Sequence, residues 1–80
     1  MKLIAIGLGN YVAAEHVIAI VSPESAPVKR LIQDAKDSNT AVDATFGRRT
    51  KSVIVMNSGQ IVLSPVQPAT IAEKVSRENG

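Results

Sequence analysis

Five consecutive apolar residues, Val17-Ile18-Ala19-Ile20-Val21, constrain this chain more than any other feature. They are mostly β-branched, which favours a strand. A strand with one wet face alternates apolar and polar side chains, whereas this one is apolar on both sides and needs cover on both. Only 80 residues are available to supply it. They make one domain, residues 1–80, which folded alone exposes about 4,600 Å² of the roughly 12,200 Å² of its extended form. With about 60% of the buried area apolar, at ~25 cal/mol per Å², burial returns about 115 kcal/mol. Ordering the chain at ~1.5 kcal/mol per residue costs about 120. The two nearly cancel. With no Cys and a single His, the chain can add neither a disulfide nor a metal site. The simplest source of the missing cover is another copy of the same chain.

The remaining pattern predicts the elements around that strand. Leu3 to Ile6 reads as a first strand, Gly7-Leu8-Gly9-Asn10 as a turn, and Tyr11-Val12 as extended chain leading into a polar interruption at Ala13 to His16. Ser22-Pro23-Glu24-Ser25-Ala26-Pro27 is a helix entry with Ser22 or Ser25 as cap. Val28, Leu31, Ile32 and Ala35 follow on one helical stripe, and Ser38-Asn39 is its stop. Ala41 to Phe46 is a predicted strand. Ser52 to Met56 and Gln60 to Leu63, joined by Asn57-Ser58-Gly59, form a predicted hairpin. Thr70 to Glu73 has capping-box spacing and opens a C-terminal helix with Ile71, Ala72 and Val75 inward. The expected class is α+β, a small and mostly antiparallel sheet with one central and one C-terminal helix. No three-helix pattern suits a helix-turn-helix.

Several function classes fall away. The apolar run Leu3 to Leu8 is interrupted by Gly7 and is far short of the ~20 residues a spanning helix needs, and it is short for a signal peptide. The expectation is a cytoplasmic protein without a membrane partner. Gly7-Leu8-Gly9 follows a strand, but Val12 stands where a dinucleotide fingerprint has its third glycine. No cofactor is expected. His16 has no nucleophile to activate, no serine sits in a G-x-S-x-G elbow, and the carboxylates show no paired spacing. Neither an enzyme nor a small-molecule substrate is expected. Asp43, close to two arginines in sequence, is expected to pair with and orient Arg48 or Arg49.

The segment with chemical content is Gly47-Arg48-Arg49-Thr50-Lys51. Three cations stand between two strands, behind a glycine that lets backbone approach a ligand. Arginine's planar fork matches phosphate oxygens and guanine edges, and a threonine hydroxyl adds a donor. The bland alternative is a solvated basic turn. A second basic pair, Lys29-Arg30, lies on the helix with Asp34 four residues after Arg30, the spacing of a helical ion pair. Tyr11 and Phe46 are the only aromatics, thin provision for stacking single-stranded bases, so duplex DNA fits better than RNA.

Ser22 to Pro27 with Lys29-Arg30 and Ile32-Gln33, Asp43 to Thr50, and Ile61 to Ser64 with Val66-Gln67-Pro68 together resemble the Rem-type extracellular matrix regulatory proteins of bacteria. The likeness runs from about Leu3 to Val75. It implies a DNA-binding transcriptional activator of biofilm-matrix genes, associated with the nucleoid. It also implies a LytTR-like protomer that binds DNA through strands and loops, in a ring-shaped homo-oligomer, plausibly an octamer. The family's arginine pair falls on Arg48 and Arg49. A further arginine falls on His16, a weaker cation near pH 7, and Phe46 stands where tyrosine is common. The expected DNA-binding residues are therefore Arg48, Arg49, Lys51, Thr50 and His16, and the expected partners are double-stranded DNA and further copies of the chain. The alternative is an oligomeric scaffold whose basic loop meets an acidic protein.

Overall fold

Two strands are buried almost throughout and form the centre of the molecule: β5 (Ser52–Met56) and β6 (Ile61–Ser64). The structure is a computed structural model and describes residues 1–79. The central strands are the predicted hairpin, paired antiparallel with Val53 opposite Leu63 and Ile54 opposite Val62. Gly59 in the turn takes φ 91°, where a side chain would be strained. β3 (Val17–Val21) adds antiparallel to β5, and β4 (Ala41–Asp43) adds to β6 in parallel, giving the order β3-β5-β6-β4. The sheet is thus mixed, and the expectation of a mostly antiparallel sheet holds everywhere except at β4.

Alternation along β5 explains the layers. Val53, with Ile61 and Leu63, packs under α1 (Ala26–Asp37) against Val28, Ile32 and Ala35. Ile54, with Val62, packs on the opposite side against Ile4, Ile6 and Val12 of a second hairpin and against Ile71. That hairpin is β1 (Leu3–Gly7) and β2 (Asn10–Ala13); Ile71 belongs to α2 (Pro68–Asn79). The fold is therefore a three-layer α+β arrangement, with α1 on one face of the four-stranded sheet and the hairpin plus α2 on the other.

The helix ends follow local chemistry. Ser25 caps α1 by accepting from the Val28 N–H at 3.3 Å, and Asn39 ends it with φ 59°, which asparagine tolerates. Arg30 forms no ion pair with Asp34 among the described residues; Asp37 instead accepts from Gln33 Nε2 at 3.0 Å. α2 begins at Pro68, two residues before the predicted start, because proline suits the first helical turn and the Gln67 carbonyl accepts from Thr70 and Ile71. Ile71 and Val75 face inward as expected, whereas Ala72 is exposed. Lys74 Nζ donates to the Ala5 carbonyl at 3.0 Å and ties α2 to β1.

The predicted strand Ala41 to Phe46 is shorter than expected. It stops at Asp43, whose Oδ1 accepts from both the Thr45 N–H at 2.9 Å and the Thr45 hydroxyl at 2.5 Å. This side-chain turn pulls the backbone out of the ladder.

No residue of β3 is fully buried within one copy. Ile20 reaches the hairpin side and Val21 the α1 side, but Ile18, at a register shift in an edge strand, stays 65% exposed. The chain exposes 5008 Å² in all, more than the roughly 4,600 Å² its mass implies.

Candidate nucleic-acid interface

Three separated segments meet at one end of the four-stranded sheet. β3 ends there and leads through Ser22-Pro23-Glu24 into α1. β4 ends there and leads through the basic segment into β5. β6 ends there and leads through Pro65-Val66-Gln67 into α2. Both helices thus begin at the end that carries the cations, and helix N-termini favour anions.

The turn is anchored at both sides. Asp43 holds Thr45, which is 2% exposed, and the Arg48 N–H donates to the Thr45 carbonyl at 3.0 Å. Phe46 and Gly47 between them have φ 57° and 81°, the signs of a type I′ turn. Beyond it, the Lys51 N–H donates to the Ser64 carbonyl at 2.8 Å. Two buried hydroxyls close the sheet end behind it: Ser64 Oγ donates to the Ile6 carbonyl at 2.8 Å, and Ser52 Oγ donates to the Val66 carbonyl. The backbone is fixed, and the side chains of Arg48, Arg49 and Lys51 project into solvent, with Thr50 half-buried.

The electrostatics differ from the sequence expectation in one respect. Asp43 does not orient an arginine. Hydrogen bonds from the Thr45 hydroxyl and N–H hold its carboxyl below the ordinary aspartate value; desolvation opposes them and the nearby Lys36 charge adds a lesser lowering. The carboxylate near an arginine is Glu24, with Oε1 3.8 Å from Arg49 Nη2 and both side chains well exposed. A cleft of about 480 Å³ lies between Glu24, Arg49, Thr50, Lys51, Gln67 and Pro68.

His16 stands elsewhere. It precedes β3, and its carbonyl accepts from the Asn57 N–H at 2.8 Å beyond the far end of β5. One strand of roughly 13 Å, at ~3.3 Å per residue, separates that end from the arginines. Asn57 Nδ2 lies 3.1 Å from His16 Nδ1 in an exposed contact, and donation by the amide corresponds to the tautomer with its proton on Nε2. One copy therefore brings Arg48, Arg49, Thr50 and Lys51 together and leaves His16 apart. Sequence reasoning missed Glu24, whose only signal was its place in the helix entry, and the turn geometry of Phe46, signalled by the glycine after it.

Fold and site together define a small α+β module that presents a fixed cationic turn beside two helix starts. No helix among the described residues is long and apolar enough to cross a membrane. Residues 3–75 match the RemA-like family, described as extracellular matrix regulatory protein A-like. Relatives from Bacillus cytotoxicus and Bacillus mycoides, named as inferred regulatory proteins, are 54% identical over 78 residues, covering 98% of this chain and 90% of theirs. The chain belongs to the RemA-like family, and the names of the family and of these relatives point to a regulatory role.

Proposed function

We propose that this chain is a transcriptional regulator that binds duplex DNA as a homo-oligomer and activates extracellular-matrix genes. On the family resemblance the assembly is a closed ring, plausibly of eight copies, built from LytTR-like protomers and acting in the cytoplasm at the nucleoid. The observation that carries the reading is the side-by-side exposure of Arg48, Arg49 and Lys51 on a backbone anchored through Thr45 and Ser64. Such a turn loses little further freedom when phosphates replace water. Arg48 and Arg49 grip phosphates, Lys51 and the Thr50 hydroxyl assist, and His16 offers its Nε2–H to a different phosphate.

The turn of one copy offers only Arg48, Arg49 and Lys51, too few cations for useful affinity at physiological salt, where the gain from counterion release shrinks. Repetition around an oligomer removes that limit. The test is fluorescence anisotropy with a labelled duplex across a salt series. The expected affinity of the wild-type protein falls linearly on a log–log plot. Arg48→Ala/Arg49→Ala weakens binding on all sequences and flattens the slope by about 0.9 for each phosphate left without its arginine. Unchanged affinity and slope in the double variant overturn the site. Wild-type protein that ignores duplex DNA but captures an acidic protein favours the scaffold alternative.

A further inference from the structure

The basic turn contains a residue that its own geometry disfavours. Phe46 is the first central residue of the type I′ turn, at φ 57°, a position where asparagine, aspartate or glycine is the ordinary choice. A bulky side chain there is strained, and Phe46 gains little from packing because it is 84% exposed. The neighbouring hairpin turn repeats the pattern. Leu8, followed by Gly9, has φ 56° and is 40% exposed. Asn10 of that turn reaches the Ala44 carbonyl at 3.5 Å, so the two turns lie side by side. The third non-glycine residue with positive φ, Asn39, is by contrast a residue that tolerates it.

Local chemistry broken twice at exposed positions of two neighbouring turns points to an external surface that the apolar groups serve. The immediate surroundings are cationic, Arg48 and Arg49 following within three residues. A second copy presenting the same tip to this one brings like charges together. A polyanion does not.

We infer that Phe46, with Leu8 on the neighbouring turn, is an apolar wedge that enters a groove of duplex DNA while Arg48 and Arg49 hold the phosphates on either side. Apolar wedges of this kind touch or part base steps and reward the bend they create. The inference rests on the DNA reading and names the residue through which that site touches bases.

Phe46→Asn separates the roles, because Asn-Gly is the favoured pair for this turn. Relief of the backbone strain is expected to raise the melting midpoint by about 4–8 °C. Duplex affinity is expected to fall about five- to thirty-fold, with the salt slope unchanged, since removing an apolar side chain from the groove leaves the released counterions as they were. Phe46→Tyr, which keeps the ring, retains affinity within about twofold. Sedimentation velocity follows assembly in parallel, and it is expected to be the same for all three proteins. Equal affinity of Phe46→Asn and wild type overturns the wedge while leaving the DNA reading intact. Loss of assembly in Phe46→Asn also overturns it, by assigning the ring to an interface between copies. Absence of duplex binding by the wild-type protein removes the DNA reading itself.

Discussion

Replacing Ile18 with Lys tests the assembly directly. Ile18 sits at the register shift of β3, an edge strand with one side unpaired, and keeps 65% of its surface in water. Fully burying an isoleucine side chain is worth about 1.5–3 kcal/mol, so about 1–2 kcal/mol remains to be gained from a second copy. In the head-to-tail contacts of a closed ring Ile18 contributes once per interface, so the expected loss is about 1–2 kcal/mol, roughly 5- to 30-fold in the dissociation constant. Lysine forfeits that gain and adds a charge to be desolvated, so the range is a lower bound. The protomer itself loses little, because the position is already wet and lysine is a common guard of exposed edges. Sedimentation velocity over a dilution series, with far-UV circular dichroism as the folding control, reads the effect. The expected result is a folded Ile18→Lys protein that dissociates at concentrations where the wild type stays assembled. A variant that assembles like the wild type refutes the placement of Ile18 in the interface. A wild-type protein that is monomeric and stable on dilution refutes the need for company from which the reasoning began.

Two further outcomes probe the site's scaffold. Because the Asp43 carboxyl lies below its ordinary value when folded, its contribution to stability is present above about pH 4 and is lost as pH falls through the lower folded value. Thr45→Val removes the hydroxyl donor and keeps the N–H, so carboxyl titration by NMR is expected to move up towards the ordinary range; an unmoved titration removes the assigned cause. At Gly7, φ 101°, a Cβ would lie 3.0 Å from Val66 Cγ2 and 3.3 Å from Pro65 Cγ, whereas at Gly59, φ 91°, it meets nothing within 4 Å. Gly59→Ala is therefore expected to lose about 1–2 kcal/mol through backbone strain alone. Gly7→Ala loses about 1–3 kcal/mol more through overpacking, and equal losses in urea denaturation dismiss the packing argument.

What could be read from the residues alone was mostly local. The stripe Val28, Ile32 and Ala35, the cap at Ser25 and the turn at Gly59 each announce themselves within a few positions, and each is where expected. Leu31 belongs to the same stripe by spacing yet is 38% exposed, because the sheet beneath α1 covers a narrower face than the periodicity allows. The shortening of β4 turned on a competition that periodicity does not weigh: Asp43 satisfies Thr45 instead of letting the ladder continue. The parallel pairing of β4 with β6 is a long-range choice, imposed by α1 returning the chain to the far edge of the sheet.

The same distinction separates the two halves of the site. Arg48, Arg49, Thr50 and Lys51 are contiguous, so composition alone exposes them. Glu24 reaches Arg49 only because β3 ends beside the start of β5, with Val21 opposite Val53. Exposed pairs at such a separation contribute about 0–1 kcal/mol, weak enough for a phosphate to displace the carboxylate. Arg49 therefore keeps a weak, displaceable partner, which on the proposed DNA reading leaves it available to a phosphate. His16 reverses the lesson: it lies one strand away from the arginines in a single copy, so on the proposed DNA reading it would contact another point on the duplex or act from another copy. On the proposed DNA reading, a set of contacts that one protomer cannot complete is what an assembly would supply, and the exposed edge at Ile18 offers a surface on which to build one.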